Sequence, residues 1–338
     1  MRKIVSLLLI LAMVTFAIVG CGRSQQEEQQ GASEQQGDTA DQKPFKVAML
    51  LAGPISDQGW NATAYNGLLN IEKNLGAEIS YTENVAQSDF EEVFRGYAIE
   101  GYDIIFGHGF QFGDAAMKVA PEFPDSKFVI TSTDISQEPN VASLNNDNRQ
   151  QGFLAGALAA LLTEVNKVGV VGGMEIPSIQ AFMNGFDKGA KYINPDITIL
   201  STYTGDFVDA AKAKEVAAAM IQQGADIIAH DADAAGLGAI EAAVEADTRV
   251  IGAISDQYEL APDHMVTSAL SDLTKAIEVM AEQIKNGDFE AKMYNFGIEE
   301  GTVGLAPYHN FEDKVPQEVK DKMQQIMDDI VAGKIELD

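Results

Sequence analysis

The chain has 338 residues, of which 51 are acidic and 23 are lysine or arginine, so its formal net charge is −28 at pH 7. So negative a protein repels the phosphates of nucleic acid and the headgroups of anionic lipid, which argues against both as partners. Cys21 is the only cysteine. This excludes an intramolecular disulfide and a metal site made of cysteines alone.

The first 43 residues are expected to lie outside the fold. Residues 1–20 combine a basic start with an apolar run too short for a comfortable membrane span of about 20 residues, which is typical of a signal peptide. Small residues before Cys21 resemble the lipobox of bacterial lipoproteins, which implies cleavage there and diacylation of the thiol; a generic signal peptide is the alternative. Residues 21–43 are polar throughout and should form a disordered tether. We therefore expect an extracytoplasmic protein that touches the membrane only through its lipid anchor.

Strand-like and helix-like segments alternate along the first half of the remaining chain. A capping box, with Ser88 as N-cap and Glu91 three residues on, is predicted to begin the second helix. The predicted strands are Lys46–Leu51, Ala77–Thr82, Tyr102–Phe106, Lys127–Thr131 and Val141–Leu144. The predicted helices are one that begins after Gly59, one from Ser88 to about Glu100, one over Phe112–Ala120, and one from about Gln150 to Leu162.

The same alternation starts again after a polar stretch at Asn145–Gln151, which we interpret as a lobe boundary. Regular alternation with short loops predicts parallel sheets with helices on both faces, once in each lobe. The predicted strands are Val168–Val171, Ile197–Tyr203, Asp226–Ala229, Arg249–Ala253 and Met265–Leu270, and the helices are Ser178–Tyr192, Asp209–Gln223 with Asp209 as N-cap, Ala234–Ala246, a segment ending at Asn286, and Pro316–Ala332.

The loop after the first strand carries the most distinctive side chains. It offers an acid (Asp57), the only tryptophan (Trp60) and an amide (Asn61) between Gly53 and Leu68. Ligands of open parallel sheets bind outside the carboxyl ends of the strands, where this loop should lie. A flat ligand needs a stacking face and polar groups for its edge, and the loop supplies both. The alternative is that Trp60 only fills a gap between helix and sheet.

A second loop of this kind follows the third strand and contains Phe110 and Asp114. Its glycines are spaced G-x-G-x-x-x-G, one residue longer than the dinucleotide-binding fingerprint, and they follow the third strand instead of the first, so we do not expect phosphate binding. In the second lobe, Phe207, Asp233 and Asp256 occupy the corresponding strand-end loops. We expect these residues to form a polar cleft in which Phe207 faces Trp60. Asp114 is equally compatible with a first-turn position favoured by the helix dipole, and any one of the three second-lobe residues taken alone is more often an ordinary loop residue than a ligand contact.

The sequence gives no sign of catalysis. The histidines, His108, His230, His264 and His309, lack metal-ligand spacing, and the HDAD segment that begins at His230 lacks a further ligand. No G-x-S-x-G motif or assignable carboxylate pair is present. We therefore expect no enzyme activity, no catalytic residue, no cofactor and no metal.

Longer segments share the pattern of one protein family. They are SDQGWNATAYNGL, YDIIFGHGFQFGDA, VGVVGGMEIPSIQAFMNGFDKGAKYINPDI, DAAKAKEVAAAMIQQGADII, VIGAISDQ and KVPQEVKDKMQQIMDDIVAGKI. Over residues 44–338 the chain resembles the basic membrane protein (BMP/Med/PnrA-like) substrate-binding lipoproteins. The resemblance implies an α/β type I periplasmic-binding-protein fold of two Rossmann-like lobes with a multi-stranded hinge. We expect residues 44–146 plus about 270–301 in lobe 1, and 147–269 plus about 302–338 in lobe 2.

The resemblance also implies a function. A purine nucleoside or purine base would be captured between the lobes, with Trp60 and Phe207 stacking on its faces and Asn61 and Asp114 reading its edge, and a monomer would deliver it to an ABC transporter permease. The acid and the lysine that nucleoside-binding members place near Ile254 and Ser271 are absent. Sugar binding is therefore open, and a sensor-receptor role or a non-purine ligand stays an alternative.

Overall fold

The computed structural model describes residues 43–56 and 60–337, whose strands form two sheets of six. In the first sheet every pairing is parallel, as expected for strands joined by helical crossovers. Its strands, in sheet order, are β11 (Met293–Phe296), β5 (Val141–Asn146), β4 (Lys127–Thr131), β3 (Ile104–His108), β1 (Lys46–Leu51) and β2 (Glu78–Thr82).

The second sheet repeats this arrangement, with one antiparallel strand at its edge. Its strands, in sheet order, are β12 (Val303–Leu305), β10 (Met265–Ser271), β9 (Arg249–Ile254), β8 (Ile227–Asp231), β6 (Lys167–Gly172) and β7 (Thr198–Tyr203). The antiparallel partner is β12, on β10. The predicted two-lobed α/β fold is thus confirmed.

Helices cover both faces of each sheet and bury separate apolar clusters there. The first lobe contains α1 (Trp60–Leu75), α2 (Phe90–Ile99), α3 (Gly113–Val119) and α8 (Leu273–Lys285), and the second contains α4 (Asn148–Leu162), α5 (Pro177–Ile193), α6 (Ala210–Gln222), α7 (Gly236–Glu245) and α9 (Gln317–Val331). Central strands such as β1 and β6 are buried on both faces, which explains the continuous apolar runs that follow their first residue.

Two local predictions were wrong for identifiable reasons. Ser88 does not cap α2: its hydroxyl donates to the Asp89 carboxylate (2.7 Å), and a short 3₁₀ turn at Gln87–Asp89 precedes the helix. The third strand begins at Ile104 instead of Tyr102, because Tyr102 belongs to the C-terminal cap that follows the preceding helix. Its N–H donates to the Tyr97 carbonyl while Gly101, at φ 74°, donates to Ala98, which together form a Schellman motif.

The described chain passes between the sheets three times: from β5 to α4, from β10 to α8, and from β11 to β12. The short strands β11 and β12 were not predicted. Each consists of three or four residues whose partners lie far away in the sequence, so local pattern does not reveal them.

The first turn of α4 is hydrogen-bonded to the other two connections. Gln151 Nε2 donates to the carbonyl of Ala269 on β10 (3.0 Å), and Gln150 Oε1 accepts from the N–H of Ile298, after β11 (2.8 Å). The Asp147 carboxylate caps the helix by accepting from Arg149 and Gln150 N–H groups, and its own N–H donates to the Phe296 carbonyl. The three connections therefore form one hydrogen-bonded hinge.

Behind this turn, α4 and α5 are in backbone contact through glycines. A Cβ on Gly152 or Gly156 of α4 would lie 2.0 Å from a carbonyl oxygen of α5, and a Cβ on Gly185 or Gly189 would lie 2.3 or 2.1 Å from one of α4. No side chain fits at such distances. Gly185 and Gly189, within one of the segments that carry the family resemblance, thus have a packing role.

Some expectations fall outside the described residues, namely the signal peptide, lipidation of Cys21, most of the tether, and Asp57. In the part of the chain that is described, none of the helices is both long and apolar enough to cross a membrane.

We predict that Gly156→Ala lowers the free energy of unfolding by about 1–3 kcal/mol or prevents folding, because the added methyl group overlaps the Phe186 carbonyl. The matched control is Gly96→Ala in α2, where a Cβ meets no atom within 4 Å. That change should stabilise by about 0.5–1 kcal/mol through helix propensity. Urea unfolding followed by circular dichroism measures both; equal midpoints for the two variants would contradict the close-packing argument.

Candidate functional site

In each lobe, the strands that follow the first strand are added first on one side of it and then on the other, so the direction of strand order in the sheet reverses there. β1 is flanked by β2 and β3, and β6 by β7 and β8, so the loops after these central strands diverge at a topological switch point. Open parallel sheets bind ligands in the crevice formed there. The loops after β1 and β3 carry Trp60, Asn61, Phe110 and Asp114, and those after β7, β8 and β9 carry Phe207, Asp233 and Asp256.

Trp60 begins α1 with nearly half of its surface exposed (46%) and is held from behind by His108. The His108 ring is fully buried at the end of β3 and stacks on the indole, with centroids 4.1 Å apart and planes 27° from parallel. Its Nε2 lies 3.0 Å from the Trp60 carbonyl oxygen, and its Nδ1 lies 3.0 Å from the Thr131 hydroxyl. One face of Trp60 is therefore supported by the protein.

One of these contacts shows that Nε2 of His108 carries a proton. A carbonyl only accepts, so Nε2 donates to Trp60. The Thr131 hydroxyl accepts from the Gly109 N–H (2.9 Å) and is hydrogen-bonded to Nδ1. His108 thus ties the start of α1 to the ends of β3 and β4.

The other predicted residues of the first lobe differ in exposure. Asn61 is buried, and its Oδ1 accepts from the Gly53 N–H (3.3 Å), so it also holds the loop after β1 closed. Phe110 is 71% exposed and Asp114 lies exposed in the first turn of α3. Only Trp60 among the four thus combines an accessible surface with a ring held by a buried neighbour.

Phe207 is half-buried at the end of the loop after β7. Its ring covers Gly173, where an added Cβ would lie 2.5 Å from the ring, and its carbonyl accepts from the Ala235 N–H (2.8 Å). The aromatic ring is therefore fixed over the loops after β6 and β8. Within the described chain, Trp60 and Phe207 do not form a ring pair with each other.

His230 has a structural environment at the end of β8. Nε2 lies 3.0 Å from Gln257 Oε1, which also accepts from the Ala253 N–H, so Nε2 carries the proton. Nδ1 is buried without a hydrogen-bond partner and faces Gly236. Burial lowers the pKa of His230 to about 4, so the ring is neutral at physiological pH.

The next residue, Asp231, is the least favourably placed carboxylate of the second lobe. It is 2% exposed, and none of the described residues donates a hydrogen bond to its side chain or forms an ion pair with it. Burial, with the like charge of Asp233 as a further cause, raises the pKa of Asp231 to about 7. Asp233 itself is exposed, although partial desolvation of its carboxyl raises its pKa as well.

Asp256 belongs to a third group of side chains, after β9. Its carboxylate lies 2.7 Å from His309 Nε2 and accepts from the Tyr258 N–H, and the His309 ring stacks on Tyr258 with centroids 4.1 Å apart. Asp256 thus already has partners within the second lobe.

Backbone strain marks the same edge of the second sheet. Asp233 has φ 48° and Ile254 has φ 71°, a left-handed conformation that is uncommon for residues other than glycine and an outlier for a β-branched one. Such strain persists where the surrounding structure imposes it, and it is concentrated at functional sites. Ile254 is 42% exposed there, so an apolar side chain borders the cleft edge.

Sequence reasoning missed three residues of this region: His108, His230 and Asp231. The histidines were assessed only for metal ligation, although each lies in the last two residues of the third strand of its lobe. Their position at a strand end was the available signal. Among the described residues, no group of three or more His, Cys, Asp or Glu side chains is arranged to hold a metal ion.

Comparison with known proteins identifies the family. Residues 45–336 match the family described as ABC transporter substrate-binding protein, PnrA-like. The chain belongs to this family. Basic membrane protein A of Borreliella burgdorferi is 34% identical over 267 residues, which are 77% of this chain and 78% of that protein.

Two further similar proteins support the same family assignment. The ABC transporter nucleoside-binding protein BmpA of Lactococcus lactis is 31% identical, covering 86% of this chain and 88% of that protein. The structure of an ABC transporter solute-binding protein from Conexibacter woesei is 29% identical and superposes with a TM-score of 0.70, covering 87% and 98% of the two chains. The protein is therefore an ABC transporter substrate-binding protein and not an enzyme; it acts outside the cytoplasm, with a small-molecule ligand and a transporter as partners.

We predict that Asp231→Asn stabilises the ligand-free protein at pH 8 but not at pH 4. The folded-state pKa of Asp231 lies above its unfolded value, so the wild type loses stability as pH rises from about 4 to 7. A shift of about three pKa units corresponds to about 4 kcal/mol, which the amide avoids. Urea unfolding at each pH measures the difference.

Comparing the two proteins at the same pH cancels the opposite contribution of His230, whose lowered pKa costs stability below pH 6.5. A constant difference between the variant and the wild type from pH 4 to pH 8 would contradict the burial of an ionisable Asp231.

Proposed function

We propose that the protein captures a purine, as nucleoside or free base, between its lobes and delivers it to an ABC importer. In this proposal the base stacks between Trp60 and Phe207, and the acids of the strand-end loops hydrogen-bond its edge. The observation that carries the proposal is the geometry of Trp60: a large, exposed aromatic face at a switch point, fixed from behind by a buried histidine.

A fixed aromatic ring suits a flat heteroaromatic ligand. Base–aromatic stacking contributes about 1–3 kcal/mol per base, and a ring that is already immobile loses little entropy when the ligand binds. If Trp60 served only to fill a gap, it would be expected to lie buried; instead its outer face meets solvent. The likeness to a Lactococcus lactis protein named as nucleoside-binding supports the same ligand class.

The proposal leaves the sugar open. At the positions where nucleoside-binding relatives are expected to carry an acid and a lysine, this chain has Ile254 and Ser271. Ile254 presents an aliphatic side chain at the strand end, and the Ser271 hydroxyl lies 3.1 Å from the Asn146 amide in the hinge. Neither offers a charged group to ribose hydroxyls, so any ribose would be held by other residues.

Binding would be coupled to lobe closure. Trp60 and Phe207 lie on different lobes, so both can stack on one base only if the hinge brings them to opposite sides of it. The closed form would then be the one that the permease recognises. We further propose that lipidation of Cys21 holds the protein at the membrane surface.

The sole tryptophan gives a direct test. We expect a purine to change the fluorescence of Trp60, and calorimetric titration of the full chain in mild detergent, refolded from urea to remove carried-over ligand, to give a saturable isotherm. The panel is adenine, guanine, hypoxanthine, adenosine, guanosine and inosine. Binding of bases alone would indicate a site without room for sugar. If none of the six compounds binds, the purine assignment is refuted.

We predict that Trp60→Ala weakens purine binding by about 5- to 150-fold, which corresponds to loss of about 1–3 kcal/mol of stacking. Trp60→Phe should lose less because it retains a ring. The matched control is Tyr192→Ala, an equally exposed aromatic (46%) on α5, remote from the strand ends. Affinities from calorimetry decide: an equal loss in both alanine variants would count against stacking at Trp60.

A further inference from the structure

The side-chain carboxylate of Asp231 has no hydrogen-bond or ion-pair partner among the described residues. Buried side-chain carboxylates are normally hydrogen-bonded or paired, and one without a partner requires an explanation. Neither oxygen of Asp231 is among the fully enclosed polar atoms that lack a partner, so its small remaining exposure (2%) includes the carboxylate. The group is thus desolvated by its surroundings yet still reachable.

The neighbours of Asp231 leave space beside it. It pairs in register with Gly172 on β6, and its carbonyl accepts from the Gly173 N–H, so two residues without side chains lie opposite. A Cβ added to Gly173 would lie 2.5 Å from the Phe207 ring and 3.3 Å from the Ala232 Cα, so the ring lies over the residue that is hydrogen-bonded to the Asp231 backbone. Asp231 therefore lies on the strand end next to the loop that Phe207 covers.

No described cation compensates the charge of Asp231. Asp233, in the following turn, is a like charge. His230 lies on the other face of β8 and bonds Gln257, and Arg149 of α4, which packs against β8, is paired with Asp147. A hydrogen-bond donor that stabilises the ionised carboxylate would therefore come from outside the second lobe.

We propose that Asp231 binds the ligand directly, as a carboxylate that accepts a hydrogen bond from an N–H group on the edge of the stacked ring. This inference rests on the proposed purine site and extends it. It assigns to the site a ligand with an N–H donor beside its stacked face, and it gives a role to an acid whose burial is unfavourable.

Proton linkage follows from the assignment. Because burial raises the pKa of Asp231 to about 7, part of the population is protonated at neutral pH. A ligand N–H favours the ionised form, so binding should release up to one proton and tighten about tenfold for each pH unit between 5.5 and 7. The opposite behaviour, proton uptake on binding, would overturn the proposal, because it would mean that a protonated Asp231 donates to the ligand.

The experiment is calorimetric titration of the full chain with the bases and nucleosides of the panel, in buffers of different ionisation enthalpy, from pH 5.5 to 8.0. For Asp231→Asn we expect at least tenfold weaker binding at pH 8.0, near-equal affinity at pH 5.5, and no proton release. The control is Asp247→Asn, a fully exposed acid at the opposite end of β9, which should behave as wild type.

A comparison of ligands separates direct contact from a role in closure. If Asp231 touches the ligand N–H, one N-methyl derivative of the bound base should bind the wild type much more weakly, and that penalty should shrink in Asp231→Asn. A uniform loss for all derivatives would overturn direct contact.

Two further results would overturn the inference in different ways. Binding by the wild type without proton release refutes the role of Asp231 and leaves the purine site intact. If the wild type binds none of the compounds in the panel, both the proposed function and this inference are refuted.

Discussion

The hydrogen-bonded first turn of α4 is the constraint on which the two-lobed structure depends. Asp147, Gln150 and Gln151 link all three connections between the sheets, and the same helix continues into a glycine contact with α5 that admits no side chain. The hinge and the core of the second lobe therefore share one rigid element. Any relative motion of the lobes must bend the connections around that turn and leave the sheets unchanged.

The two lobes use one topology for different purposes. Each has a buried histidine at the end of its third strand, and in each histidine Nε2 donates a hydrogen bond to an oxygen. In the first lobe, His108 fixes an aromatic ring that faces solvent. In the second, His230 fixes Gln257 and thus the loop after β9. Rigid loops at the strand ends lower the entropy lost on binding, which is what a capture protein requires.

Energetically unfavourable features lie close together at the strand ends of the second lobe, where we propose that the ligand binds. Asp231 is desolvated without a partner, and Asp233 and Ile254 adopt strained backbone conformations within the neighbouring loops. Cores buried on both faces of each sheet supply the stability that tolerates them. Such local conflicts in an otherwise consistent fold are expected at functional sites, because binding groups must stay unsatisfied until the ligand arrives.

The sequence alone determined the alternation of strands and helices, because burial on both faces gives central strands continuous apolar runs and the helices their own period. It also located Trp60 and Phe207 in strand-end loops, since parallel topology places those loops together. Only the tertiary structure decided what depends on distant partners: the pairing of β11 and β12, the support of Trp60 by His108, and the isolation of Asp231. Whether a polar side chain is satisfied depends on every element that packs around it, and no local pattern carries that information.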